Sequence, residues 1–184
     1  MNIRFSGFGG QGVVLAGVIY GRAATIEGKN ALQTQSYGSA SRGGASKSDV
    51  IISDEQIYEL EFTTPDVLIA MSQEAYTIYA QQLKEQCIVI VEKDLVRTEG
   101  VKIYSIPATR IAEGLGQKIM ANIVMLGFMS ALVSEVQPQI VSKDAVCKAI
   151  YESVPKGTGD KNIQAFEEGY KLGMFNLKLQ STKS

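Results

Sequence analysis

The residues best suited to chemistry in this 184-residue sequence lie in a glycine-rich segment near its beginning. Gly7, Gly9 and Gly12 fit the G-x-G-x-x-G pattern of nucleotide-binding turns. Glycine has no Cβ atom, so it permits positive φ and lets backbone N–H groups approach a bound anion closely. We expect the N–H groups of Gly10, Gln11 and Gly12 to point outward at the start of a helix, where partial positive charge collects. The segment predicts contact with an anionic group or with the backbone of a partner.

A second candidate segment, residues 36–46, is small and polar, and it contains one aromatic residue, Tyr37, and one arginine, Arg42. Such a segment buries little apolar surface, which predicts a surface loop positioned by the neighbouring strands. Arg42 is followed by Gly43 and Gly44, an arrangement that would hold a guanidinium beside exposed backbone donors and suit a phosphate or a carboxylate. A mobile loop with a solvated arginine is the alternative, and composition does not separate the two.

The elements that must position these segments begin with a strand, a glycine turn and a helix. Residues 2–5 alternate as a strand does, and residues 13–24 are small and apolar, as expected of a buried helix. Further strands are predicted over residues 29–34 and 48–53. No helix-length segment separates these two strands, so we expect them to pair antiparallel and the sheet to be mixed.

The rest of the chain predicts more strands and then a helical C-terminal third. Apolar runs at residues 67–71 and 87–91 flank a helix that Ser72 would cap and that would end near Lys84, which is typical of a parallel βαβ unit. The remaining predicted elements are a strand over 101–106 and helices over 108–115 and 117–136, from Ser142 to before Pro155, and over 161–177. Neither an internal repeat nor a linker divides the sequence, so we expect a single domain over residues 1–184.

Composition argues against several classes of function. The formal net charge is −1 and the basic residues are scattered, which predicts no attraction to nucleic acid or to an anionic membrane. The sequence contains no histidine, which excludes Ser-His-Asp and Cys-His catalysis and histidine-based zinc sites. The most apolar segment, residues 119–133, is shorter than the roughly 20 residues of a membrane span and is better explained as a buried helix.

Cysteine usage and the N-terminal residues indicate a cytoplasmic protein. Cys87 and Cys147 are far apart, and neither belongs to a C-x-x-C pair, so the chain cannot supply the roughly four thiolates of an iron–sulfur cluster. We expect both to be inert thiols in the core. No signal-peptide pattern follows Met1, and no disulfide framework is predicted, which fits a reducing cytoplasm.

The glycine motif alone leaves alternatives open. A dinucleotide site also uses an acidic residue on the ribose, at the end of the second strand and roughly 20 residues beyond the glycines. Here that strand leads into Gln35 and Ser36, with no aspartate or glutamate. A free-standing nucleotide-binding module, such as a small dehydrogenase or a regulator, is one alternative. A scaffold whose glycines serve only packing is another.

Taken together, four segments of the sequence resemble the gamma subunit of the 2-oxoacid:ferredoxin (acceptor) oxidoreductases. The resemblance covers nearly the whole chain. It rests on residues 7–12 with 16–17, on 37–38 with 42–46, and on 122–127 and 162–169. The glycine turn joined to the Tyr-Gly and Arg-Gly-Gly loop at this separation is much more specific than G-x-G-x-x-G alone.

The resemblance implies a three-layer α/β/α fold with a mixed, mostly parallel sheet and a Rossmann-like start. It also implies a subunit of an enzyme that oxidatively decarboxylates a 2-oxoacid to its acyl-CoA and CO2. The implied partners are alpha, beta and delta subunits, which carry thiamine diphosphate, Mg and iron–sulfur clusters. Electrons pass to ferredoxin or another low-potential acceptor, and coenzyme A is a substrate of the complex. The chain itself is expected to bind none of these cofactors alone.

Residues 45–49 look more like the 2-oxoglutarate members of the family, with pyruvate and branched-chain members as the alternative. Ser39 and Ala40 depart from the Pro-Glu that many relatives carry after Tyr-Gly, so a carboxylate that would orient the arginine is missing. No catalytic residue and no metal ligand is expected. The expected cofactor-binding residues are Gly7, Gly9, Gly10, Gln11, Gly12, Tyr37, Arg42, Gly43 and Gly44.

Overall fold

Helices and strands alternate along the chain in the manner of an α/β protein. The computed structural model describes residues 1–38, 44–98 and 103–181, and these contain six strands and six α-helices. In chain order the elements are β1 (Asn2–Phe8), α1 (Val13–Ile26), β2 (Asn30–Ser36), β3 (Ala45–Ser53), β4 (Val67–Ala70), α2 (Gln73–Tyr79), β5 (Ile88–Glu92), β6 (Ile103–Ile106), α3 (Ala108–Gly114), α4 (Ala121–Val136), α5 (Lys143–Ser153) and α6 (Gly159–Ser181).

The strands form one mixed sheet in the order β2-β3-β1-β4-β5-β6. β1, β4, β5 and β6 pair parallel to one another, whereas β3 pairs antiparallel with both β1 and β2. This confirms the antiparallel arrangement of the second and third strands and the mostly parallel sheet. The short connection between β2 and β3 permits only a hairpin, because a parallel crossover needs about a dozen residues or more.

Helices cover the two faces of the sheet unequally. Ile3 and Phe5 of β1 point into a large buried cluster that includes residues of α1, α3, α4, α5 and α6. On the opposite face, Leu68 of β4 and Val89 of β5 belong to a smaller cluster, against which Tyr76 and Tyr79 of α2 pack. The three layers are therefore α/β/α, with the C-terminal helices gathered mainly on one side.

Helix α4 is the central helix of the core. All residues from Ala121 to Val133 are buried. The segment Lys118–Val136 is long and apolar enough to cross a membrane by length and composition, and 78% of its apolar window is buried inside the fold. This burial agrees with the buried helix predicted from the sequence. A single 3-10 turn, Lys118–Met120, precedes α4 in place of the continuous helix expected from residue 117.

Glycines let α4 and α6 cross with their backbones in contact. A Cβ atom on Gly127 of α4 would lie 2.0 Å from the carbonyl oxygen of Phe166, and one on Gly169 of α6 would lie 1.9 Å from that of Val124. Real Cβ atoms do not approach so closely, so any side chain at either position would force the helices apart. The close crossing fixes α4, whose first residues border the glycine-rich turn.

Several boundaries differ from the sequence-based predictions. Ser72 and Ser142 cap α2 and α5 as predicted, each accepting a hydrogen bond from an N–H in the first turn. The prediction that α2 ends near Lys84 was wrong, because α2 ends at Tyr79. Lys84 lies beyond the helix, and its ammonium is 2.6 Å from a carboxylate oxygen of Asp66.

The two cysteines are also less buried than predicted. Cys87 and Cys147 are both half-buried rather than fully enclosed in the core. Burial raises the pKa of the Cys87 thiol to about 11, and burial also raises the pKa of Cys147. Because the thiolate is the reactive form, both thiols stay largely unreactive near neutral pH. Partial burial is therefore enough to keep both thiols protonated and unreactive.

A buried ion pair joins β1 to β3 on the face that α2 covers. Arg4 and Asp49 lie opposite each other in the antiparallel pair and are 7% and 3% exposed. The guanidinium donates from Nε and Nη2 to the two Asp49 carboxylate oxygens, both at 2.7 Å, and Lys47 donates to the same carboxylate at 2.9 Å. Such bidentate geometry is what lets a charged pair remain out of water.

We predict that Asp49→Asn lowers the free energy of unfolding by about 3–5 kcal/mol, because it leaves the buried Arg4 charge without compensation. Urea denaturation followed by circular dichroism measures this loss. The matched control is Asp94→Asn, since Arg110 binds Asp94 through the same two nitrogens, at 3.0 and 2.6 Å, but in a more exposed position. The control is expected to cost less than about 1 kcal/mol. Equal losses in the two variants would contradict the prediction.

Candidate functional site

The glycine-rich segment forms a tight turn from the end of β1 into α1. Gly10 and Gly12 have φ angles of 88° and 73°, in the left-handed region that favours glycine. Gly12 is the N-cap residue of α1, and no side chain caps the helix there. Gly9 and Gly10 are exposed. The start of α1 therefore has exposed glycine backbone next to it and no side-chain cap.

The side chain of Gln11 bridges the ends of two parallel strands. Its Oε1 accepts a hydrogen bond from the Phe8 N–H at 2.7 Å, and its Nε2 donates to the Met71 carbonyl at 3.0 Å. A Cβ atom on Gly7 would lie 2.5 Å from Oε1, so Gly7 leaves the space that this side chain occupies. The turn is thereby fixed to the residue that follows β4.

The bridge occupies the place where many α/β proteins bind nucleotides. In open α/β sheets, ligands bind beyond the carboxyl ends of strands at the point where the chain connections change direction. Here that point lies between β1 and β4, because α1 and α2 cover opposite faces of the sheet. The Gln11 N–H also donates to the Phe8 carbonyl at 3.2 Å. It is therefore not one of the free amide donors that we expected from the sequence.

Asn122 at the start of α4 binds the turn from the other side. Its Nδ2 donates to the Gly12 carbonyl at 3.0 Å, and the residue is only 3% exposed. A Cβ atom on Gly12 would lie 2.4 Å from that Nδ2, so the bond requires glycine here. The candidate residues predicted from the sequence did not include Asn122, although an asparagine within the apolar first two turns of this helix was a visible signal.

A cavity of about 370 Å³ opens beside the turn, at the carboxyl edge of the parallel strands. Within the described part of the chain, Lys118 is the one cationic side chain that lines it; Lys118 is 72% exposed and its ammonium lies 3.3 Å from a Glu113 carboxylate oxygen. Leu95 and Ile119 supply exposed apolar surface, at 47% and 74%. The full lining consists of Gly10, Gln11, Met71, Leu95, Thr109, Lys118, Ile119 and Ala121. The exposed backbone of Gly10 and the Lys118 ammonium on one apolar cavity suit an anion that carries an apolar portion.

Sequence reasoning missed Lys118. A single lysine in front of an apolar helix has no distinctive pattern, and only the packing of the 3-10 turn Lys118–Met120 brings it beside Gly10. Its position could be found only from the tertiary structure.

A buried carboxylate shapes the side of the cavity formed by α3. Glu92, at the end of β5, is fully buried and accepts hydrogen bonds from the Thr109 N–H at 2.8 Å and the Thr109 hydroxyl at 2.9 Å. It also accepts from the Asp94 N–H at 3.3 Å. The two bonds from Thr109 connect the end of β5 to the first turn of α3, and they fix the position of Thr109 at the cavity.

The base of the second candidate segment lies at the same edge of the sheet. Ala45 pairs with Phe8, which sets the start of β3 beside the glycine turn. A Cβ atom on Gly38 would lie 2.6 Å from the carbonyl carbon of Gly44, so the two ends of the segment touch. Tyr37 is 65% exposed. Arg42 and Gly43 lie outside the described residues.

The strand beside β1 is not the parallel strand that a dinucleotide site requires. In that fold the strand beside β1 is parallel and ends in the acidic residue that binds the ribose. Here antiparallel β3 occupies this place, and β2 is the outer strand. The missing acidic residue in the sequence thus corresponds to a different arrangement of strands.

We predict that Gln11→Ala lowers the free energy of unfolding by about 1–3 kcal/mol, because it leaves the Phe8 N–H and the Met71 carbonyl without their partner. Urea denaturation is the measurement. Gln73→Ala is the control. Like Gln11, Gln73 accepts a backbone N–H and donates to a backbone carbonyl, both of Arg97, but its side chain is exposed. It is expected to cost less than about 1 kcal/mol. A Gln11→Ala loss no larger than the control's would show that the bridge contributes little.

Comparison with known proteins adds independent findings. The family model of pyruvate ferredoxin/flavodoxin oxidoreductase matches residues 2–172. The 2-oxoglutarate synthase subunit KorC of Methanocaldococcus jannaschii is 52% identical over 177 residues, covering 92% of each chain. The ketoisovalerate oxidoreductase subunit VorA of Methanothermobacter marburgensis is 36% identical over 135 residues, covering 72% of this chain and 28% of that one.

A solved structure agrees with the fold. The gamma subunit of a keto/oxoacid ferredoxin oxidoreductase from Geobacter sulfurreducens superposes with a TM-score of 0.80 at 42% identity, covering 94% of this chain and 98% of that one. Sequence and fold therefore match along nearly the same length. The chain belongs to the pyruvate ferredoxin/flavodoxin oxidoreductase family.

Proposed function

We propose that the chain is the gamma subunit of a 2-oxoglutarate:ferredoxin (acceptor) oxidoreductase, a single gamma-type domain over residues 1–184. The complex decarboxylates the 2-oxoacid on thiamine diphosphate and transfers the acyl group to coenzyme A. The observation that supports this substrate is the higher identity to the 2-oxoglutarate synthase subunit than to the ketoisovalerate oxidoreductase subunit. The match to the Geobacter sulfurreducens gamma subunit, over 98% of that chain, supports the same subunit role.

The cofactors of the reaction belong to partner subunits in this proposal. The chain has two cysteines and no histidine, a donor set too small for an iron–sulfur cluster. Alpha, beta and delta subunits carry thiamine diphosphate, Mg and the clusters, and they pass electrons to ferredoxin or another low-potential acceptor. The assembly works in the cytoplasm. The gamma chain alone has no activity.

The edge of the sheet beside the glycine turn binds the phosphates of coenzyme A. Gly10 offers exposed backbone at the turn, and Lys118 offers an ammonium on the same cavity. An anion near the start of α1 gains about 0.3–1 kcal/mol from the helix terminus. Leu95 and Ile119 would contact an apolar portion of the ligand. We include Arg42 as a second cation for the phosphates, because the two ends of the segment that contains it, at Gly38 and Gly44, lie at the same edge.

Chemistry in this site is limited to binding and orientation. Glu92 has its carboxylate oxygens in hydrogen bonds to Thr109 and Asp94. Cys87 lies outside the cavity, just before β5 and at the opposite end of that strand from Glu92, and burial raises the pKa of its thiol to about 11. The chain therefore contributes binding energy to the transfer of the acyl group, and its own residues neither donate the proton nor attack the substrate.

Substrate preference tests the assignment directly. The complex, co-purified from the native host, is assayed with 2-oxoglutarate, pyruvate and branched-chain 2-oxoacids, with reduction of a low-potential acceptor as the readout. We expect the highest kcat/KM with 2-oxoglutarate and dependence on coenzyme A. A preference for another 2-oxoacid would overturn the substrate, and turnover by the purified single chain would overturn the subunit role.

Substitution of the cationic residues tests the coenzyme A site. In the reassembled complex, Lys118→Ala and Arg42→Ala are each expected to raise the KM for coenzyme A about tenfold, since a charge-assisted hydrogen bond contributes about 1.5 kcal/mol. Lys156→Ala, an exposed lysine outside the cavity, is the control and is expected to leave the KM unchanged. If assembly and KM are also unchanged in Lys118→Ala and Arg42→Ala, these residues have no such role.

A further inference from the structure

The connection from β3 to β4, residues 54–66, forms neither helix nor strand and carries an unusual surface. We refer to it as the acidic loop. It contains five carboxylates and no lysine or arginine. Connections of this length without secondary structure are uncommon inside a domain and are often functional.

Both ends of the acidic loop are held in place. At its start, the Lys29 ammonium lies 2.5 Å from an Asp54 carboxylate oxygen, and the Asn30 side chain donates to the Glu55 carbonyl at 3.1 Å. Near its end, Arg4 donates to the Phe62 carbonyl at 3.3 Å and stacks over the Phe62 ring at 5.0 Å. These contacts position the middle of the loop without covering it.

The middle of the acidic loop exposes apolar and acidic side chains in alternation. Tyr58 is 82% exposed and Leu60 is 65% exposed, whereas Glu59 and Glu61 are exposed beside them. Among the described residues, no cation pairs with Glu59 or Glu61. Large apolar side chains held out in water next to unpaired charges are typical of a protein interface.

We propose that residues 57–61 dock on a neighbouring subunit of the complex, at an apolar pocket bordered by lysine or arginine side chains. This proposal rests on the proposed function. Charge complementarity selects the occupant, because Glu59 and Glu61 lie within the segment and Glu55 lies beside it, and no cation of the described residues pairs with them. A second copy of the same surface would set Glu59 and Glu61 against like charges, which is unfavourable.

The position of the acidic loop keeps this contact apart from the coenzyme A site. The loop begins after Ser53, which pairs with Asn30 near the amino end of β1. The glycine-rich turn follows the opposite, carboxyl end of β1 at Phe8. A subunit docked on the acidic loop therefore leaves the cavity beside Gly10 open to substrate. The carboxylates also stand away from the anionic phosphates that the turn binds.

The experiment measures the affinity of the full-length chain for the complex of its partner subunits purified without it. Tyr58→Ala/Leu60→Ala and Glu59→Lys/Glu61→Lys are each expected to raise the Kd at least tenfold. The wild-type Kd is expected to rise between 0.05 and 0.5 M salt, and the charge-reversed variant to lose this dependence. Amide hydrogen exchange of residues 54–66 is expected to slow in the wild-type complex.

The controls are Phe175→Ala, an aromatic residue 57% exposed on α6, and Glu135→Lys, an exposed carboxylate on α4. Each is expected to change the Kd less than twofold. The docking proposal is overturned if either loop variant binds as tightly as the wild type, or if the loop becomes protected in the isolated chain through self-association. Failure of the wild-type chain itself to associate would instead contradict the proposed function.

Discussion

Two amide side chains fix the glycine-rich turn at the carboxyl edge of the parallel strands. Gln11 joins the end of β1 to the residue after β4, and Asn122 joins the first turn of α1 to the start of α4. Each bond requires a glycine next to it, since a Cβ atom on Gly7 or Gly12 would collide with the amide. The glycine pattern is therefore explained as much by these internal contacts as by the approach of a ligand. A turn held in this way keeps its exposed backbone in one position before any ligand arrives.

The antiparallel strand β3 explains why a Rossmann-like beginning does not lead to a dinucleotide site. By entering the sheet between β1 and β2, it removes the parallel neighbour that would carry the acidic residue for the ribose. The same strand direction brings Ala45, and with it the base of the second candidate segment (residues 36–46), beside the glycine turn. Because β3 is antiparallel, the sheet has no strand end placed to contact a ribose, and it has instead the base of a second loop beside the glycine turn.

Local signals in the sequence predicted much of the fold. The features that were not predicted depend on contacts between segments far apart in the sequence. Ser72 and Ser142 were identified as helix caps because capping depends on residues three positions away. The early end of α2 was missed because the chain must turn back there, so that Lys84 reaches Asp66. The Arg4–Asp49 pair and the position of Lys118 join residues far apart in sequence, which no local pattern reveals. The antiparallel pairing of β2 with β3 could be predicted because the length of a connection limits its geometry.

Different elements cover the two faces of the sheet. On one face, α1, α3, α4, α5 and α6 enclose a large apolar core. On the other face, α2 is joined by the acidic loop, which Arg4 holds against the sheet through Phe62. The same arginine neutralises Asp49, so a single buried cation ties β1, β3 and the loop together. Because the loop is fixed by this cation while the glycine turn is fixed by Gln11, the opposite ends of β1 are positioned independently. The proposed surface for a protein partner and the proposed site for an anionic substrate can therefore coexist at the two ends of one strand without competing.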